Sequence, residues 1–110
     1  MTIEQFTQLA LSFPETGETP HFNRVAFRPA GKRIFATLHQ ETETVNLRFS
    51  PAEQAVYCQI NPDAIYPVKN KWGLQGWTTF ILCYVDPQLM LDALHTAYQL
   101  ALKAATDRRR

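Results

Sequence analysis

The chain has little cysteine and no long hydrophobic run. Its two cysteines, Cys58 and Cys83, form no C-x-x-C motif and lie in apolar stretches, so we expect reduced, buried thiols in a cytoplasmic protein. No stretch approaches the roughly 18 apolar residues that a membrane-spanning helix needs. The start, MTIEQ, lacks the charged segment and apolar core of a signal peptide. We therefore expect no membrane partner.

Motifs of the common enzyme classes are also missing. Neither serine, Ser12 or Ser50, stands in a G-x-S-x-G sequence. The histidines, His21, His39 and His95, lack the spacing of zinc ligands, and no glycine-rich nucleotide-binding loop occurs. The Asp and Glu residues are scattered, which gives no pair for acid–base catalysis. We expect no enzyme, no cofactor and no metal site.

The length and charge of the chain set two further limits. Its 110 residues are enough for one domain with its own core, predicted to span residues 1–110. The formal net charge is +1, so no overall field attracts polyanions. Any charged partner must be recognised by a local patch.

Three segments have the caps and apolar spacing of helices. A Thr or Ser cap with Gln or Glu three residues later opens the first two, and Asp-Pro opens the third. The predicted helices span residues 2–13, 50–61 and 86–105. On the second helix, the predicted buried positions are Ala52, Ala55, Val56 and Ile60. On the third helix, they are Leu91, Leu94, Tyr98, Ala101, Leu102 and Ala105.

Five segments rich in β-branched and aromatic residues predict strands. They span residues 22–28, 33–38, 44–49, 64–68 and 77–85, whereas residues 15–20 are predicted to be a polar loop. The short links between the first three strands favour an antiparallel meander. The predicted fold class is α+β, in the order α-β-β-β-α-β-β-α. It has an antiparallel sheet of about five strands, with helices packed on one face.

The segment from residue 66 to residue 80 combines both tryptophans with two glycines. Trp72 and Trp77 could anchor a structural loop in the core, since large aromatic side chains usually serve packing. Alternatively, the loop faces a ligand, with Lys69 and Lys71 as its charged groups and a pocket beneath the two indoles. The sequence leaves both interpretations open.

Basic residues cluster in the first predicted hairpin. Alternation along the strands places four arginines off the core face together with the aromatic ring of Phe35, and a turn lysine lies beside them. These cations are Arg24, Arg28, Arg33, Arg48 and Lys32. Cations around an exposed aromatic ring on an antiparallel sheet are typical of nucleic-acid surfaces. The alternative is a solvated sheet face whose cations serve solubility, and the three terminal arginines, residues 108–110, are compatible with either interpretation.

Several of these segments together resemble one family. They are HFNRVAFR, GKRIFATL, VNLRFSPAEQ, the YP pair and WGLQGWT, and in this order and spacing they are similar to the MmcQ/YjbR family of small bacterial proteins. The resemblance covers nearly the whole chain. It implies an α/β fold with an antiparallel sheet, comparable to frataxin-like and secretion-chaperone-like folds. It also implies DNA binding, which is ascribed to the family because its hairpins are shaped like paired wings.

The resemblance implies no catalytic residue. The positions that match the family pattern are Gly31, Lys32, Phe35, Trp72, Gly76, Trp77 and Thr78. A comparison with frataxin would suggest iron binding only with an acidic first helix, and Glu4 is the single acid there, so no metal is expected.

Two functions of different classes follow. The first is low-specificity DNA binding through the basic sheet face, the hairpins and the loop lysines. The second is a module for a small ligand, a peptide or a protein, with a pocket near Trp72 and Trp77. An enzyme is the least supported class.

Overall fold

The structure is a computed structural model that describes the backbone of residues 1–107 and the side chains of residues 1–103. The predicted core position Ala105 and the terminal arginines 108–110 lie outside the described side chains. The helices are α1 (Ile3–Leu11), α2 (Pro51–Ile60), α3 (Lys71–Leu74) and α4 (Pro87–Asp107), with a 3-10 turn at Leu82–Tyr84. The strands are β1 (Thr16–His21), β2 (Arg24–Pro29), β3 (Ala36–His39), β4 (Thr44–Arg48), β5 (Ile65–Pro67) and β6 (Trp77–Ile81).

The strands form one antiparallel sheet in the order β1-β2-β3-β4-β6-β5. The pairing register of the strands places five buried side chains on one face of the sheet. They are Phe27, Leu38, Val45, Leu47 and Phe80. Helix α4 contacts β2 and β4, α1 contacts α4 and β1, and α2 contacts β5 at the sheet edge. The predicted α+β class, with an antiparallel sheet and helices packed against it, is confirmed. The structure adds β1 and the short α3.

Both predicted capping boxes are present. In α1, the Gln5 N–H donates to Thr2 Oγ1 at 3.1 Å, and the Thr2 N–H donates to Gln5 Oε1 at 2.8 Å. At the start of α2, Ser50 and Glu53 make the same reciprocal pair at 2.9 and 3.2 Å. These bonds satisfy N–H groups that have no partner within a helix, so each helix starts where its sequence predicts.

Two parts of the chain differ most from the prediction. Residues 16–21, predicted to be mostly loop, form β1, because this edge strand needs only the β2 backbone as its partner and carries polar residues on both faces. The last strand ends at Ile81 instead of residue 85, and the 3-10 turn that follows leaves Cys83 exposed. The prediction that both cysteines are buried is therefore wrong for Cys83, and Cys58 is half-buried.

The predicted core stripe of α2 is also wrong. Its aliphatic members, Val56 and Ile60 among them, are exposed, and Tyr57 is the buried residue. The Tyr57 ring stacks on Phe49 at a centroid distance of 4.6 Å. Because α2 lies beside the edge strand β5, only a narrow stripe of the helix faces the core. In α4, Leu91 is exposed while the neighbouring Met90 is buried.

Phe35 lies on the opposite side of the sheet from its predicted place. The register pairs Phe27 with Ala36, yet Phe35 donates its N–H to the Phe27 carbonyl at 3.0 Å. Two consecutive residues thus oppose one residue of β2, which is the arrangement of a β-bulge and redirects a side chain. Phe35 is fully buried among the helices, with its ring 5.5 Å from that of Tyr98. It cannot take part in a surface nucleic-acid site, so that prediction is wrong.

Candidate ligand-binding site on the open sheet face

The face of the sheet turned away from α1, α2 and α4 carries mostly polar side chains. We call it the open face; its residues are Arg24, Ala26, Arg28, Thr37, Asn46, Arg48, Trp77 and Thr79. Cross-strand partners make its central row, which runs from Ala26 through Thr37 and Asn46 to Thr79. Alternation produces this row, since each residue stands between two neighbours that point into the core.

A cavity of about 500 Å³ lies on this face. Its volume is within the range of small-molecule sites. The lining residues come from the β1–β2 turn, from β2, β3 and β4, and from the segment around α3. They are His21, Phe22, Asn23, Arg24, Thr37, Asn46, Val68, Trp72 and Trp77.

The polar residues of the cavity present hydrogen-bond donors. The Arg24 guanidinium makes a long contact of 3.5 Å with Thr37 Oγ1. Asn46 Oδ1 accepts from the Thr79 hydroxyl at 2.8 Å, and the Asn46 Nδ2 group has no partner among the described residues. Burial lowers the pKa of Arg24, although an arginine side chain stays charged at neutral pH. No carboxylate in the described part of the chain balances that charge within ion-pair distance.

Phe22 forms one end of the cavity and has an unusual backbone. It is 95% exposed, with its ring against that of His21 at a centroid distance of 5.0 Å. Its φ of 61° belongs to the first central position of a two-residue hairpin turn, where glycine is preferred. A bulky residue in this conformation costs about 1–3 kcal/mol. Neither core packing nor turn preference explains a phenylalanine here.

A hydrogen-bonded contact holds the Phe22 turn in place. The Asn23 Nδ2 atom lies 3.0 Å from His39 Nε2, and His39 Nδ1 lies 2.8 Å from the Thr42 hydroxyl. The imidazole thereby connects the β1–β2 turn with the β3–β4 turn. This bridge limits how far Phe22 can move relative to the sheet.

The two tryptophans form the other end of the cavity. Trp72 lies on α3 and is 51% exposed, whereas Trp77 opens β6 and is half-buried. The side-chain amide of Gln54 in α2 donates to the carbonyls of Gly73 and Trp77 at 3.0 and 3.1 Å. Trp77 therefore partly anchors the loop, as the packing interpretation predicts, whereas the ligand contact of Trp72 stays a prediction.

Both glycines of the loop allow close backbone contacts. A Cβ at Gly73 would collide with the Val68 carbonyl, and one at Gly76, whose φ is 104°, would collide with the Phe49 carbonyl. The Phe49 N–H donates to Gly76 O at 3.0 Å across the same contact. The backbone of the loop is therefore packed closely against its neighbours at both glycines.

The remaining predicted site residues surround the cavity without lining it. Arg48 pairs across the strands with Trp77, and burial followed by the nearby Arg33 charge lowers the pKa of Arg48. Arg28 is exposed on the open face, whereas Lys32 and Arg33 are half-buried in the turn before β3. Lys69 and Lys71 are exposed in the segment that carries Trp72. The structure thus brings Arg24, Trp72 and Trp77 together, although the sequence assigned them to two alternative functions.

Sequence reasoning missed several members of the cavity. Thr37 and Asn46 each stand between two core residues, so their alternation could have placed them on the open face. Phe22 was assigned to a strand, because the polar segment before it was not recognised as its hairpin partner. Asn23 and His21 give no signal on their own, since their contribution depends on the turn geometry.

A second cavity, of about 340 Å³, lies on the helix side and is lined by Phe13, Gln88, Leu91, Asp92 and His95. Close to Asp92, the Tyr57 hydroxyl donates to Asp92 Oδ2 at 2.6 Å. Burial and this hydrogen bond raise the pKa of Tyr57 to about 12. The phenol is therefore protonated at neutral pH and serves as a structural donor.

Metal clusters and membrane-spanning helices are both absent from the described residues. No group of three or more His, Cys, Asp or Glu side chains within them is arranged to hold a metal ion. None of the helices in this part of the chain has the length and apolar character needed to cross a membrane. The cytoplasmic location stays a prediction.

Comparison with known proteins places these features in a family. The family model described as YjbR matches residues 11–100. A solved structure with the same fold is the crystal structure of Deinococcus radiodurans protein DR2400, whose domain is described as DUF419. It is 22% identical, with a TM-score of 0.76, and the match covers 90% of this chain and 77% of that one. No curated protein matches the chain.

Proposed function

The chain belongs to the YjbR family, and we propose that this member binds single-stranded nucleic acid on its open face without catalysing a reaction. One observation carries the proposal. A partly buried arginine with no carboxylate partner in the described chain lies in a cavity between exposed aromatic side chains on an antiparallel sheet. Proteins that bind single strands combine these elements, with cations that follow the backbone and aromatic rings on which bases stack.

The charges around the cavity support the binding of a nucleic-acid strand longer than one nucleotide. Arg28 and Arg48 lie on the open face beyond the cavity, and Lys69 and Lys71 lie in the segment that carries Trp72. Arg24 stands next to the β1–β2 turn, whereas these four cations lie toward the opposite end of the strands. A phosphate backbone that crosses the cavity along the strand direction would meet Arg24 at one end and these cations at the other, although the whole chain is almost neutral.

The shape of the site favours a single strand over a duplex. The aromatic side chains border a concave cavity, and stacking on them requires bases that leave their own stack. Bases of a duplex are paired and stacked internally, so they reach such a site only after unpairing.

Salt-dependent binding tests this function. We expect fluorescence anisotropy to show tighter binding to a labelled single strand than to a duplex of the same sequence. The logarithm of the affinity should fall linearly with the logarithm of salt concentration, by about 0.7 for each phosphate contact. Arg28→Ala and Lys69→Ala should each reduce that slope by about one contact without unfolding the protein, because both side chains are exposed.

Lys103→Ala is the matched control. It removes the same charge from an exposed position on α4, on the helix side of the sheet, and should leave the slope unchanged. Absence of strand binding at low salt would contradict the proposal. Equal losses from Lys103→Ala and Arg28→Ala would show a nonspecific charge effect and would also contradict it.

A further inference from the structure

We propose that the cavity on the open face is a site for one nucleotide unit, with its ring against Phe22 or Trp72 and its phosphate on Arg24. This inference rests on the proposed function, and it names the ligand of the cavity. The unit can be a free mononucleotide or one residue of a strand, since both present the same ring and phosphate.

The Arg24 charge is available to an anion. Its guanidinium is partly desolvated and makes one long contact, with Thr37 Oγ1 at 3.5 Å. A guanidinium has five N–H donors, so most of them are free to bind a phosphate or carboxylate, which it can do in a bidentate manner. The residues described by the structure supply no anion at this place, so an external anion fits it.

The neighbouring polar groups offer hydrogen-bond donors to a ligand that carries acceptors. Asn46 Oδ1 accepts from the Thr79 hydroxyl, and the Asn46 Nδ2 donors have no partner among the side chains and backbone that the structure describes. Thr37 stands directly opposite Asn46 in the register and accepts from Arg24, which leaves its own proton available. Nucleobases have ring nitrogens and carbonyl oxygens along their edges, and asparagine is a common reader of such edges.

Phe22 provides the third feature of the site, a planar surface on which a ring can stack. The ring is 95% exposed and lines the cavity from a turn position that favours glycine. An exposed aromatic side chain kept in an unfavourable conformation suits a function outside the fold itself. Trp72, half-exposed at the other end of the cavity, offers a second face. An anion with a planar, acceptor-rich ring fits the charge, the hydrogen-bond donors and the aromatic surfaces of the cavity.

Quenching of tryptophan fluorescence tests the site directly, since both tryptophans line the cavity. The probes are the four nucleoside monophosphates, the matching nucleosides and inorganic phosphate. We expect the monophosphates to quench. The affinity for the nucleosides should be lower by about tenfold or more, because they lack the charge-assisted bonds to Arg24. Inorganic phosphate should not quench, because it has no ring.

Two variants separate binding from folding. Phe22→Gly replaces the ring with the residue that the turn prefers, so the thermal midpoint should rise or stay constant while monophosphate affinity falls severalfold. Arg24→Gln should reduce the affinity for monophosphates about tenfold and leave that for nucleosides unchanged. The control is Leu74→Ala, which trims an 83% exposed side chain that does not line the cavity.

Competition with a labelled single strand distinguishes the two sources of the nucleotide. Displacement of the strand by monophosphate supports one shared site. Strand binding without any monophosphate binding would overturn the nucleotide site and leave the proposed function standing. Monophosphate binding without strand binding would support the site for a free ligand and overturn the proposed function. Equal monophosphate affinity of the wild type and Arg24→Gln would overturn the phosphate assignment.

Discussion

The side chains of Asn23 and His39 meet at 3.0 Å and join two turns at the same end of the sheet. His39 also contacts Thr42, so the imidazole forms the centre of a short polar chain. The Phe22 turn is held from outside by this chain, since Phe22 itself is almost fully exposed. His39, which does not line the cavity, thus contacts the turn that carries Phe22.

Loss of the bridge between Asn23 and His39 should reduce the affinity for monophosphates clearly while changing the free energy of unfolding only slightly. We expect His39→Ala to reduce monophosphate affinity severalfold while lowering the free energy of unfolding by about 1 kcal/mol or less, the usual size of one exposed hydrogen-bonded contact. Tryptophan quenching and urea unfolding measure the two effects. His95→Ala, on α4, is the control, and unchanged affinity in His39→Ala would show that the bridge does not position the turn.

Gly76 should tolerate no side chain. Its φ of 104° and its contact with the Phe49 carbonyl predict that Gly76→Ala lowers the free energy of unfolding by more than about 2 kcal/mol. Gly17→Ala is the matched control, because nothing lies within 4 Å of a Cβ at that position and its φ is unstrained. Urea unfolding should show Gly17→Ala close to the wild type. Similar losses in both variants would contradict the structural role of Gly76.

The two tryptophans should differ in their contribution to stability. A fully buried indole would be worth about 3–5 kcal/mol on truncation to alanine, but Trp77 is half-buried, so we expect about 2–3 kcal/mol. Trp72→Ala should cost less than about 1 kcal/mol, because half of the side chain is already exposed. Shifts in the urea midpoint measure both. A larger loss from Trp72 than from Trp77 would contradict their placement.

Tyr57 should make stability depend on pH in the alkaline range. Its pKa rises from 10.0 to about 12 on folding, so the unfolded chain releases the phenol proton first. This contribution is fully present below pH 10.0 and is lost as the pH rises toward about 12. Tyr57→Phe should lack that loss, and it should cost about 1 kcal/mol at neutral pH through the bond to Asp92. Unfolding of both proteins across this pH range measures the difference. Parallel curves would contradict the assignment.

Local sequence signals predicted much of the fold. The caps at Thr2 and Ser50 depend on residues three positions apart, and the strands that alternate do so because one face is buried. Strand β1 was missed because an edge strand can be polar on both faces. The orientation of Phe35 was wrong because a bulge changes the alternation, and nothing in the segment marks it.

The candidate site was harder to predict, because the register assembles it. The sequence identified Arg24, Trp72 and Trp77 as separate features, and only the order β2-β3-β4-β6 brings them around one cavity. Thr37 and Asn46 acquire a role because they become cross-strand partners. The short links predicted that the two strands are neighbours, but composition and spacing do not give the register that makes these residues partners.

The ends of the cavity come from distant parts of the chain. Phe22 stands on the first turn of the sheet and Trp72 stands near its last strand, 50 positions later. A compact cavity of this kind exists only in the fully folded protein, so a ligand that occupies it binds the native state and not the unfolded chain. Mass action then links the two equilibria: a ligand at 100 times its dissociation constant adds about 2.7 kcal/mol to the free energy of unfolding. The melting temperature of the protein is thus a direct sensor of its own ligand, and a rise in it can identify the occupant among compounds of unknown activity.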